Sequence, residues 1–172
     1  MIRYRSALLT AVLAASAAGQ GRVLSPPMST SITIEGKKLQ VDYGAPSMRG
    51  RKVMGALVPY GQVWCAGAND ATTLITDADL DLAGLKVPKG SYTIWTIPGK
   101  SDWTLIVNKE TGQWHTQYHP LRDLGRVKIS VKALGSPVEQ FRIQLASAGG
   151  NKGTLSLIWE TTEAYAPFTV LR

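Results

Sequence analysis

Val127-Lys128-Ile129-Ser130-Val131-Lys132-Ala133-Leu134 sets Val127, Ile129 and Val131 on one face and Lys128, Ser130 and Lys132 on the other. Side chains alternate across a strand, so this is a strand with one buried and one solvated face. The same period of two recurs outward in both directions. Residues 29–34 and 38–43 alternate around Glu35-Gly36-Lys37, which reads as a hairpin. Residues 72–76 and 80–82 are short β candidates, and turn signals follow at Gly84 and Pro88-Lys89-Gly90. Residues 91–97 alternate before Pro98-Gly99-Lys100-Ser101 turns the chain into 103–108. On the C-terminal side, 141–145 and 154–159 flank Gly149-Gly150-Asn151-Lys152-Gly153, another hairpin turn, and 168–171 closes the sheet. No segment offers three helical turns of apolar periodicity; only 51–57 has room for a single turn. The expectation is an all-β fold with little helix: one antiparallel β-sandwich or barrel-like domain of eight to ten short strands over 29–172.

The first nineteen residues read as an export signal. Arg3 and Arg5 precede an apolar run from Ala7 to Ala18, and small residues at Ala15, Ala17 and Gly19 offer cleavage after Ala17 or Gly19. That run is shorter than the roughly 20 apolar residues that span a bilayer, and no later stretch supplies a membrane span. Residues 20–28, with Pro26-Pro27, read as a flexible leader. Removal of residues 1–19 takes Arg3 and Arg5 with it, so the formal charge of +7 becomes +5. On an exported protein this charge suits solubility or attraction to anionic envelope polymers. Nucleic acid is not expected as a partner, because no binding module is present. Cys65 is the only cysteine, which excludes an internal disulfide.

One block departs from the alternating pattern. Residues 43–73 interleave glycine and proline with Arg49, Arg51, Lys52, Tyr60 and Trp64, too irregularly for a plain strand or a long helix. A connection of this length inside a compact domain is functional or disordered, and its aromatics argue against disorder. Gly50-Arg51-Lys52-Val53-Met54-Gly55, Leu57-Val58-Pro59-Tyr60-Gly61, Val63-Trp64 and Gly67-Ala68-Asn69-Asp70-Ala71-Thr72-Thr73 resemble the signature of the domain of unknown function 2911 family, small bacterial exported proteins. The likeness continues through Val87-Pro88-Lys89-Gly90-Ser91-Tyr92-Thr93, Ile97-Pro98-Gly99, Trp103-Thr104-Leu105-Ile106-Val107-Asn108-Lys109 and Pro137-Val138-Glu139-Gln140-Phe141. The resemblance implies no activity, ligand or catalytic residue. Where that family usually has Arg-Thr after the Val-Trp pair, this chain has Cys65-Ala66.

Within the block, Arg51 and Lys52 supply donors for an anion, Tyr60 and Trp64 supply stacking faces, and the Asn69 amide reads hydroxyls. These five are the candidate ligand-binding residues, expected to converge on one surface or cleft. The bland alternative makes Tyr60 and Trp64 plugs that hold the loop down while the cations face water. Cys65 reads as a buried, inert thiol, since no cation or base accompanies it. His115 and His119 have zinc-like spacing, but they lie among strands, where they would sit about 13 Å apart, and they read as surface residues. Asp77, Asp79 and Asp81 lack the Gly and Glu of a calcium loop and read as the solvated face of a strand. Trp95, Trp103, Trp114 and Trp159 read as core. No metal site or cofactor is expected.

The leading functional expectation is a non-enzymatic binding module for an envelope or extracellular ligand, an anionic polymer or glycan. The rival is a hydrolase using Asp70 or Glu139 as acid or base, with Tyr60 and Asn69 as positioning groups. A structural or assembly role in the envelope is the third reading.

Overall fold

The structure, a computed structural model, describes residues 24–172. The export signal at 1–19 and the start of the expected leader at 20–23 lie outside the described residues. Nine strands follow: β1 (Pro27–Ile34), β2 (Lys37–Gly44), β3 (Thr73–Thr76), β4 (Leu80–Leu82), β5 (Leu85–Val87), β6 (Gly90–Ile97), β7 (Asp102–Asn108), β8 (Asp123–Gly149) and β9 (Lys152–Val170). Among the described residues the one helical element is a 3-10 turn at Pro120–Arg122. All pairings are antiparallel, in the order β1-β2-β3-β6-β7-β8-β9-β4-β5.

The all-β class stands, and the hydrogen bonding forms one open sheet rather than two. Both edges, β1 and β5, lie against β8, so the sheet curls around a core to which every strand contributes. The central strands β6 and β7 are buried on both faces. Ile94, Trp103, Leu105 and Val107 point into the main core; Trp95 and Ile106 join Cys65 and Ala71 in a smaller cluster on the opposite side. That second face is covered by loop residues, among them Trp64 and Tyr118.

The 29–43 hairpin forms as expected. Its two-residue loop, Glu35-Gly36, has both residues at positive φ, as the twist of a tight hairpin requires. The strand starts earlier than sequence indicated: Pro27 and Met28, assigned to the leader, pair with Gly44 and Tyr43. The C-terminal strands also differ, being long rather than short. β8 runs for 27 residues and β9 for 19, continuing through points where their register shifts. Residues 134–137 bulge opposite Thr161, and 139–141 bulge opposite Trp159. Extra residues on one strand bend it and free its backbone for other partners.

Asp77, Asp79 and Asp81 alternate with buried Ala78, Leu80 and Leu82, but only Asp81 lies on a strand; Asp77 and Asp79 belong to the connection between β3 and β4. Asp79 accepts from Lys89 N (2.8 Å); Asp81 accepts from Gly84 N (2.8 Å) and pairs with Lys86 (2.8 Å). Trp95, Trp103 and Trp159 are core, but Trp114 is not. It sits on the loop after β7, 47% exposed, with its ring against His115. Among the described residues no helix is long and apolar enough to cross a membrane.

Candidate functional site

The irregular block is the connection between β2 and β3, and backbone pairs pin it to the sheet at several points. The bulged segment of β8 takes one end: Met48 N donates to Glu139 O and Phe141 N to Pro46 O, both at 2.8 Å. Trp64 and Thr96 exchange two backbone bonds (2.7 and 2.8 Å), and Gly61 N donates to Pro98 O (2.8 Å). Beyond them, Ala71 N donates to Gln113 O (3.0 Å) and His115 N to Asn69 O (2.9 Å). Residues 52–58 close on themselves as a non-helical knot, with Val58 N donating to Val53 O (2.9 Å) and Gly55 N to Val58 O (2.9 Å). The Glu160 carboxylate accepts from Met54 N (2.9 Å), projecting from a residue at φ 53 opposite Val138.

This pinned loop makes one wall of a cavity of about 330 Å³. It is lined by apolar Trp64, Trp159, Leu57 and Val58, by cationic Arg49 and Arg51, and by His115. Trp64 stacks on Trp159 (centroids 6.0 Å, 22° between planes) and meets Phe141 and Trp103 edge-on. The Arg51 guanidinium is aimed by two main-chain carbonyls, Nε to Met48 O (2.9 Å) and Nη2 to Ser47 O (2.8 Å). Arg49 Nη2 donates to Leu24 O (2.6 Å), and its backbone N–H to Glu139 Oε1 (2.8 Å). Among the described residues neither arginine forms an ion pair, and no Asp or Glu lines this cavity.

A second cavity, about 480 Å³, adjoins the first across Ser25 and Ala68. Its lining includes Asn69, Asp70, Asp42, Tyr43, Ser29 and Thr73. Behind the shared wall the end of β2 and the loop at Ala68 approach closely at Gly44. A Cβ there would lie 2.0 Å from the Ala68 carbonyl oxygen.

The five candidate binding residues are therefore split. Arg51 and Trp64 line the first cavity and Asn69 the second, while Lys52 and Tyr60 line neither. The Tyr60 ring covers Gly55, whose φ is 80° and where a Cβ would come within 2.7 Å of that ring. Tyr60 thus plays the plug, and Trp64 is both plug and cavity wall. Asp70 and Glu139, the candidate acid and base, are also separated: Asp70 faces the second cavity and Glu139 faces neither. Glu139 is occupied by the Arg49 N–H, and its carbonyl by Met48 N and Trp159 Nε1 (3.1 Å).

His115 and His119 do not meet at a metal. His119 Nδ1 lies 2.6 Å from Glu110 Oε2, His115 turns to the cavity, and no metal-binding group of side chains occurs among the described residues. His115 and Trp159 are the lining residues that sequence reading assigned elsewhere, one to the surface and one to the core. Cys65 is buried, donates to Gly67 O (3.1 Å), and burial pushes its thiol up to about 12. It is protonated at neutral pH and is a poor nucleophile.

The fold and cleft define an all-β protein whose central strands are roofed by a long pinned loop with a cationic, tryptophan-floored cavity. The family model described as protein of unknown function (DUF2911) matches residues 25–168, and the chain belongs to that family. Among curated proteins, and among solved structures, none matches the chain.

Proposed function

We propose that this protein is an exported binding module that takes an anionic ligand of the bacterial envelope, polymer or glycan, in the cavity of Arg49, Arg51, Trp64 and Trp159. The observation that carries the reading is cationic charge without an ion pair: Arg49 and Arg51 share a concave site with a stacked tryptophan pair, and its lining holds no carboxylate. A guanidinium has five N–H donors, and the recorded side-chain bonds use two on Arg51 and one on Arg49, so donors remain for an incoming anion. The aromatic faces suit the apolar side of a sugar ring or another flat group. Of the two cations named from sequence, Arg51 is retained and Lys52 serves as an exposed control.

Arg51→Gln keeps a hydrogen-bonding side chain while removing the charge. Loss of one charge-assisted bond costs about 1.5–3 kcal/mol, so retention on an anionic glycan array or isolated envelope material should fall by about ten- to a hundredfold. Lys52→Ala should leave retention unchanged. Equal retention by Arg51→Gln and the parent would remove the site from consideration.

Export is the second element of the proposal, resting on Arg3, Arg5 and the apolar run behind them. N-terminal sequencing of protein recovered from the periplasm or medium should start at Ala18 or Gln20. A full-length chain confined to the cytoplasm would contradict it.

A further inference from the structure

The two adjoining cavities carry opposite charge. The first is lined by Arg49, Arg51 and His115 with no Asp or Glu; the second by Asp42 and Asp70 with no Lys, Arg or His. Asp42 accepts from the neutral Gln40 amide (2.9 and 3.0 Å), and neither aspartate forms an ion pair among the described residues. A ligand bearing only negative charge would complement the first cavity and be repelled by the second.

Between them runs a short strap of this chain's own backbone. The consecutive carbonyls of Leu24, Ser25 and Pro26 accept from Arg49 Nη2 (2.6 Å), Asn69 Nδ2 (3.0 Å) and Ala45 N (2.9 Å). Arg49 and Asn69 both adopt left-handed backbone, φ 50° and 67°, a conformation that costs non-glycine residues energy and is concentrated at functional sites. The strap itself is lightly anchored, since Leu24 is 64% exposed. It satisfies donors at the divide and, being uncharged in its side chains, leaves the ionic groups on either side without partners.

We infer that the two cavities are the ends of one site for a short peptide with free termini. Its carboxylate sits at Arg49 and Arg51, and its ammonium sits at Asp42 and Asp70. Its main chain crosses beside Ala68, its carbonyls replacing those of Leu24 and Ser25 on the Arg49 and Asn69 donors. Exchange is close to neutral at the divide, because main-chain carbonyls replace main-chain carbonyls; the gain comes from the two ends. The inference rests on the anion-binding reading of the first cavity and names the anion as a peptide carboxylate.

The test is calorimetric titration of the protein with Ala-Ala-Ala-Phe having free termini, with its N-acetyl form, with its C-amide form, and with the same series from two to six residues. The free peptide should bind best, each blocked end should weaken binding at least tenfold, and one length should be preferred. Asp42→Asn with Asp70→Asn, nearly isosteric changes checked by an unaltered melting curve, should erase the penalty for N-acetylation while keeping the penalty for C-amidation. Arg51→Gln should do the reverse. Equal binding of free and N-acetyl peptides by the parent would overturn the inference and leave the anion reading in place, as would binding of an anionic glycan with no binding of any peptide. If neither peptides nor anionic glycans bind, both readings fall together.

Discussion

Trp159→Ala is expected to lower stability by about 3–5 kcal/mol, the usual cost of deleting a buried tryptophan. At this chain length about 2–4 °C is lost per kcal/mol, so the melting temperature should fall by roughly 6–20 °C. The side chain is 2% exposed and stacked on Trp64, and its Nε1–H donates to Glu139 O. Deletion leaves a void beneath the cavity floor and removes one of the two donors to the Glu139 carbonyl, the other being Met48 N. Trp159→Phe, which keeps a ring but loses the donor, should fall between parent and alanine. A melting temperature within about 2 °C of the parent for the alanine variant would show that the aromatic cluster does not support the loop.

Gly44→Ala is the second large effect, and its cause is purely steric. Gly44 does not occupy the left-handed region, so the backbone itself would accept alanine. The new Cβ would fall 2.0 Å from the Ala68 oxygen and 2.9 Å from its carbon, and main-chain atoms cannot rotate aside as a side chain would. The end of β2 and the Ala68 loop must part, at a cost of about 1–3 kcal/mol or more for an overpacked site. That movement displaces the wall between the cavities, so ligand binding should weaken along with stability. Gly135→Ala is the control: nothing lies within 4 Å of its Cβ position and its φ is not positive, so its effect should stay within about 0.5 kcal/mol. Thermal melts of the two variants side by side check the prediction, and equal melting would refute it.

The strands were legible because alternation is local. Val127, Ile129 and Val131 face inward and Lys128, Ser130 and Lys132 outward, as their order alone required. Gly135-Ser136-Pro137, residue types common in turns, lies within β8. Whether such residues end a strand or bulge depends on the partner, and β9 resumes pairing after one intervening residue, Thr161. The same bulging frees Glu139 and Phe141 to hold Met48 and Pro46, a link across some ninety positions that no local pattern reveals. The site was legible as a place more than as a set of residues. The glycines and prolines of 43–73 mark a folded loop, and Arg51, Trp64 and Asn69 do line its cavities. Tyr60 was misplaced because an aromatic beside a glycine-rich turn serves as readily to cover a glycine as to stack on a ligand, and here it covers Gly55. His115 and Trp159 reach the cavity through the β7–β8 loop and the β8–β9 register, both of which are tertiary facts.

Anion binding by the arginine and tryptophan cavity is tested most directly by two-dimensional NMR of arginine Nε–H and tryptophan indole N–H signals during titration with an acidic oligosaccharide and, separately, with Ala-Ala-Ala-Phe. The account predicts saturable shifts at Arg49, Arg51, Trp64 and Trp159 with at least one of the two, while Trp95, which is buried in the smaller cluster, lines neither cavity and is bonded to Thr93 Oγ1 (3.0 Å), stays fixed. Shifts confined to scattered surface cations, with the four cavity residues unmoved by either probe, would contradict it.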